Sequence, residues 1–185
     1  MSCLSDNKMN AYIIEEEGED FDAVMEIYDR LFPATEKIPH EVLLQIAKNE
    51  KGELKVYKEN GALCGFTFIA KDEFFSYLMF FAVNDSLHSK GYGSKIVQQF
   101  KEMNLDRPII FAIEDPDEEG AENLTQRIRR RAFYMKNGFE FTGTKMASSE
   151  AKLLLFGTTK DVKSVYAKSI LFQTIVTNGG FELSF

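Results

Sequence analysis

Residues 84–94 read NDSLHSKGYGS and follow the apolar run YLMFFAV, so Gly91 and Gly93 stand one residue apart where a strand gives way to a helix. Glycine weakens regular structure, and a pair at such a junction points to unusual backbone angles or to close approach by something else. The chemistry this invites is anion binding. A helix start leaves backbone N–H groups without carbonyl partners, and the helix dipole adds positive potential there. A pyrophosphate suits that arrangement. Other phosphate loops have different spacing: a nucleotide-triphosphate loop needs Gly, four residues, then Gly-Lys-Ser/Thr, and a dinucleotide loop needs a third glycine where Ile96 stands. For the two glycines alone, a plain turn and helix start is the competing reading.

The elements that must position this loop follow from periodicity. Residues 11–16 form a short first strand, and Ala23, Val24, Ile27, Tyr28 and Leu31 give the apolar stripe of a helix that Pro33 stops. A second helix begins near Pro39, with Val42, Leu43, Ile46 and Ala47 apolar. Two β-rich runs then flank Asn60-Gly61, a hairpin signal because both turn residues tolerate positive φ. The run FFSYLMFFAV is too apolar for an edge strand, and its cluster Phe74, Phe75, Tyr77, Phe80 and Phe81 reads first as core. A helix through Ile96, Val97, Phe100 and Met103 leads to RPIIFAIE, a buried strand parallel to the previous one, which makes a βαβ unit. From about residue 121, Leu124, Ile128, Ala132 and Met135 mark another amphipathic helix ended by Asn137-Gly138, and two strands follow. Residues 161–176 are ambiguous between helix and strand. The fold class is α/β: one domain over 1–185, a central mixed sheet of six to seven strands flanked by helices, with 159–185 an extension of undetermined structure.

Composition narrows the function classes. The 29 acidic residues outnumber 22 basic ones, and a net charge of −7 argues against a nucleic-acid binder, which needs a basic footprint. Cys3 and Cys64 have neither metal-ligand nor disulfide-framework spacing. No stretch reaches the roughly 18 apolar residues of a membrane span, and the first ten residues lack a signal-peptide core. The expectation is a soluble, cytoplasmic protein with reduced thiols.

The segment FFAVNDSLHSKGYGSKIVQQF resembles the acyl-CoA-binding motif of the GNAT superfamily of N-acetyltransferases, Arg or Gln, two residues, Gly, one residue, then Gly or Ala. Here the window is His88-Ser89-Lys90-Gly91-Tyr92-Gly93, with His in the first position. A second block, RRRAFYMKNGFEFTG over residues 129–143, is similar to the family's later motif, a helix carrying a tyrosine and then Gly-Phe entering a strand; these are Tyr134, Gly138 and Phe139. Where that helix often carries an Asn seven positions before the tyrosine, this chain has Arg127. The resemblance covers roughly residues 10–158.

The resemblance implies acetyl transfer from acetyl-CoA to a primary amine by direct attack. It implies that the acyl carrier lies between the strands ending at Val83 and Glu114. Main-chain groups of Phe81 and Val83 would pair with the pantetheine arm, the Val83 amide would face the thioester oxygen, and the loop from Ser89 to Ser94 (Ser89, Lys90, Gly91, Tyr92, Gly93, Ser94) would take the pyrophosphate, with His88 beside it. Tyr134 matches the tyrosine beside the coenzyme sulfur and becomes the general acid, against the bland reading of a packed aromatic. Glu114 is a base acting directly or through water, against the bland reading of a solvated strand end in the acidic stretch EDPDEEG. That stretch imitates the start of a calcium loop at Asp115, Asp117, Glu119 and Gly120, but Gln126 stands where the bidentate Glu belongs, so attraction of a cationic acceptor is the better reading. The run Arg127, Arg129, Arg130, Arg131 reads as a solvated helix face. Partners expected are a small-molecule or peptide amine, with neither nucleic acid nor membrane, and the C-terminal segment either closes a homodimer or covers a sheet edge. The alternative function is a coenzyme-A-binding regulatory module with weak catalysis.

Overall fold

The computed structural model describes residues 9–87 and 90–185. The first strand, β1 (Asn10–Ile14), leads into α1 (Glu19–Leu31). Acidic Glu19, Asp20 and Asp22 sit in the first turn of α1, where the helix dipole favours them, and Phe21, Val24, Met25, Ile27 and Tyr28 form its buried face. Pro33 follows the helix, and α2 (His40–Ala47) starts after Pro39. Tyr28 is fully buried, and its hydroxyl accepts a hydrogen bond from the Ile38 amide at 2.7 Å, which ties the connection between the helices to α1.

Asn60 and Gly61 carry φ of 52° and 80°, so the expected hairpin between β2 (Gly52–Glu59) and β3 (Ala62–Lys71) is closed by two left-handed residues, a turn whose twist matches that of the strands. A register shift at Tyr57/Lys58 interrupts the ladder. β4 (Ser76–Val83) is followed by α3 (Tyr92–Glu102) and β5 (Ile109–Glu114), and β4 and β5 pair in parallel at Ser76↔Ile109 and Tyr77↔Ile110. The expected βαβ unit is present. Then come α4 (Leu124–Lys136), β6 (Glu140–Ala147), β7 (Lys152–Gly157), α5 (Val162–Lys168), α6 (Ile170–Asn178) and β8 (Glu182–Ser184). The eight strands make a mixed sheet in the order β1-β2-β3-β4-β5-β7-β6-β8. The six to seven strands expected fall short by the three-residue β8, which lies past the ambiguous stretch and pairs with β6.

Two compact units share the chain. The first takes the described residues up to Ala70 together with Met79–Phe100; the second takes Lys71–Leu78 and Lys101–Phe185. The first is built on Phe21, Val24, Ile27, Tyr28, Leu54, Val56, Phe66, Phe68 and Phe80, each of which contributes about 1.5–3 kcal/mol by burial. Tyr28 and Phe32 meet Phe80 edge-on at 5.0 and 5.1 Å between ring centroids. Gly65 on β3 has no room for a side chain, since a Cβ there would stand 2.3 Å from the Ala82 carbonyl and 2.8 Å from Ile96. The helix that starts at the glycine loop therefore lies close on the sheet.

In the second unit Phe75 stacks on Phe172 of α6 at 5.0 Å, so residues 162–184 belong to its body. Ser169 caps α6 by accepting from the Phe172 amide at 2.9 Å. Among the described residues no helix is long and apolar enough to cross a membrane.

Candidate acyl-carrier and proton-transfer site

At the end of β4, Phe80 and Ala82 are buried while Phe81 and Val83 are half-buried, as the period-2 alternation of a strand requires. The chain is then fastened to β3: the Asn84 amide donates to the Cys64 carbonyl at 2.8 Å and its side-chain nitrogen to the Leu63 carbonyl at 3.0 Å. Asn84 Oδ1 also accepts from the amide and hydroxyl of Ser86, which bends the chain into the turn Asp85–Leu87. Arg30 of α1 grips the Asp85 carboxylate with Nε at 2.9 Å and Nη2 at 2.6 Å, a two-pronged contact that fixes direction as well as distance.

His88 and Ser89 lie outside the described residues, as does Cys3. Lys90 and Gly91 are exposed, and Gly91 has φ 77° with no atom within 4 Å of where a Cβ would be. The Lys95 amide donates to the Gly91 carbonyl at 3.2 Å, so the helix ladder begins at Gly91. The amides of Tyr92, Gly93 and Ser94 are the first of α3, and helix geometry gives them no carbonyl within the helix. Helix geometry thus leaves three donors and the positive end of an eleven-residue helix at the glycine loop.

Sequence reasoning missed Glu59. It is 8 % exposed, and its carboxylate accepts from the Tyr92 hydroxyl at 2.6 Å and from Lys95 Nζ at 2.9 Å. The Tyr92 hydrogen bond, then Lys95, hold the Glu59 carboxyl below its usual range, and the same carboxylate pushes the Tyr92 phenol up to about 12. A glutamate beside a hairpin turn has the appearance of a surface residue, so nothing in the sequence marked it.

In the second unit Glu114 ends β5 and both its oxygens are occupied. Asn123 Nδ2 donates to Oε1 at 3.0 Å and Oε2 at 3.2 Å, Arg127 Nη2 reaches Oε1 at 3.0 Å, and Arg130 Nη1 reaches Oε2 at 3.0 Å. Arg127 also holds Glu118 at 2.6 Å and the Asp115 carbonyl at 2.9 Å. Two residues of the run read as a solvated face, Arg127 and Arg130, are thus engaged with the end of β5. The acidic loop folds back on Arg127, and among the described residues no group of three or more acidic, His or Cys side chains is placed to hold a metal ion.

Tyr134 is the buried residue of α4, 8 % exposed, with its ring 4.4 Å from Phe111 and 5.9 Å from Phe139. The expected inner face of this helix is the outer one: Leu124, Ile128 and Met135 are 43 %, 46 % and 58 % exposed. Periodicity located the apolar stripe but not its orientation, and Tyr134 packs on the side of the helix that faces the core. Burial pushes the Tyr134 phenol up to about 12, slightly offset by the Arg130 charge. Its hydroxyl makes no hydrogen bond among the described residues, none of which has a sealed polar side-chain atom without a partner; the hydroxyl therefore meets solvent.

The acetyltransferase (GNAT) family model matches residues 21–139. Among solved structures, an acetyltransferase of the GNAT family from Bacteroides thetaiotaomicron is similar at 22 % identity, with 85 % of this chain and 91 % of that one covered and a TM-score of 0.65. An aminoglycoside 6′-N-acetyltransferase complexed with coenzyme A is similar at 12 % identity, covering 82 % and 97 %, with a TM-score of 0.62. The Bacillus subtilis acetyltransferase in complex with CoA follows at 15 % identity, covering 82 % and 99 %, with a TM-score of 0.59. No curated protein matches.

Proposed function

The chain belongs to the acetyltransferase (GNAT) family, and from that premise we propose that it transfers an acetyl group from acetyl-CoA to a primary amine by direct attack. The observation that carries the reading is the start of α3, where helix geometry leaves the Tyr92, Gly93 and Ser94 amides without carbonyls inside the helix, next to Gly91 with its φ of 77°. That arrangement suits a pyrophosphate, and two structures of the same fold are complexes with coenzyme A. Lys90, exposed beside the loop, adds positive charge, and His88 and Ser89 are assigned to the same anion on family resemblance. Main-chain groups of Phe81 and Val83 are the proposed partners of the pantetheine amides, and the Val83 N–H is the proposed donor to the thioester oxygen, where negative charge develops.

The neutral amine nitrogen forms a bond to the thioester carbonyl carbon, the carbon–sulfur bond breaks, and its electron pair leaves on sulfur. The amine's surplus proton passes to water, and the sulfur is stabilised and protonated from the side of Tyr134, whose raised phenol is fully protonated at neutral pH. Glu114 was expected to be a base. With Asn123, Arg127 and Arg130 on its oxygens, its better assignment is to anchor α4, and so Tyr134, to the end of β5.

The acceptor is a small-molecule or peptide amine; relatives of the fold include an aminoglycoside acetyltransferase and Naa50 of Arabidopsis thaliana, the latter with a bisubstrate analogue. Calorimetric titration with acetyl-CoA tests the reading, alongside Gly91→Glu, which places a carboxylate at a positive-φ position in the anion's space. The expected result is saturable binding by the wild type and none by a folded variant. No binding by the wild type refutes the proposal.

A further inference from the structure

We infer that Glu59 is a positioning residue for coenzyme binding: from the end of β2 it clamps the residue between the two glycines and so pre-sets the phosphate loop. The inference rests on the acetyl-CoA reading of that loop. A buried carboxylate is costly unless charged or polar donors meet it, and here both donors come from the first turn of α3, Tyr92 at 2.6 Å and Lys95 at 2.9 Å. Lys58, next to Glu59, turns instead to Asp20 and to the ring of Tyr12.

Two features separate a positioning role from mere core stabilisation. Gly91 and Gly93 bring no side chain to fix the loop, and a Cβ at Gly91 would touch nothing within 4 Å, whereas among the described residues the Tyr92 side chain between them is tied to Glu59. Chain order established before binding is not charged against affinity. Furthermore, the first turn of a helix disfavours a cation, yet Lys95 stands there with about half its side chain exposed. Glu59 makes that placement tolerable and keeps the ammonium, which also lies 5.1 Å from the centre of the Tyr92 ring, beside an anion site.

The test is a double-mutant cycle read by calorimetric titration with coenzyme A, with the melting temperature of each apo protein recorded. Glu59→Gln and Tyr92→Phe each weaken binding about tenfold, the scale of one charge-assisted hydrogen bond. The double variant binds about as weakly as either single one, because both remove the same tie. Tyr57→Phe, on the same strand as Glu59, is the structural control: it removes the buried contact with Thr67 of β3, lowers the melting temperature and leaves coenzyme A affinity unchanged. Single variants that bind like the wild type overturn the inference. So do losses that multiply to about a hundredfold in the double variant, or a loss in Tyr57→Phe that matches its melting shift. Should Glu59→Gln fail to fold, Tyr92→Phe and Lys95→Gln carry the comparison, with Lys95→Gln expected to weaken binding and wild-type affinity in both overturning the idea. A wild type that takes up no coenzyme A refutes the acetyl-CoA reading itself, whereas unchanged variants of a binding wild type refute only the role of Glu59.

Discussion

Replacing Tyr134 by Phe removes one oxygen from a packed ring, and the structure sets the size of the expected effect. With the phenol at about 12 and an ordinary thiol near ~8.5, complete proton transfer to the leaving sulfur runs uphill by roughly 5 kcal/mol, at about 1.36 kcal/mol per pH unit. Tyr134 therefore acts chiefly by donating a hydrogen bond to a sulfur that is becoming an anion. A hydrogen bond to a charged group is worth about 1.5–3 kcal/mol, which converts to a rate loss of roughly 10- to 150-fold. That falls at or below the bottom of the range of about 100 to 10,000 for full general acid catalysis. The ring contacts with Phe111 and Phe139 survive the change, and the hydroxyl has no hydrogen-bond partner among the described residues to lose, so stability should move by less than about 1 kcal/mol. The assay is release of free thiol at saturating acetyl-CoA and amine, with coenzyme affinity measured separately and expected to hold. pH gives a second reading. A raised phenol keeps its proton, so the advantage of wild type over Tyr134→Phe should persist above pH 10 and fade only towards about 12. A kcat within twofold of the wild type, or an advantage already lost at pH 10, would refute the reasoning.

Glu114→Gln should lower the melting temperature by a few degrees while reducing kcat less than about tenfold, because it breaks the partly buried pairs to Arg127 and Arg130. A loss above about a hundredfold with unchanged melting and no acid limb in the pH–rate profile would return the base role to Glu114. Gly65→Ala forces a methyl to 2.3 Å from the Ala82 carbonyl, a backbone atom with little freedom to retreat. Overpacking of this kind costs about 1–3 kcal/mol, so thermal unfolding should begin several degrees lower; a melting curve that overlays the wild type would contradict the close contact.

Much of the frame was legible because it depends on local chemistry. Asn60-Gly61 closes a hairpin in any context that lets both adopt positive φ, and the apolar run of β4 demands burial on both faces. The helix of residues 170–178 was not legible: its β-branched composition suits a strand, but the Ser169 cap and the stacking of Phe172 on Phe75 favour the helix. On α4 the apolar stripe was found correctly and turned the wrong way, because periodicity cannot say what an element packs against. The loop glycines stood out through spacing, and Tyr134 through the resemblance to the family's later motif. Glu59, 33 positions before Tyr92, and the Glu114–Arg127 pair depend on contacts that only the folded chain brings together.

The exposed stripe of α4 also bears on how firmly Tyr134 is held. With a single buried side chain in thirteen residues, this helix has little apolar surface with which to resist local opening. What secures it is largely ionic, Arg127 and Arg130 to Glu114 and Arg127 to Glu118, and such ties weaken as ionic strength rises. The proposed proton donor therefore rides on a segment held chiefly by ion pairs, while the other proposed duty, holding an anion, would fall to α3, which buries Ile96, Val97 and Phe100.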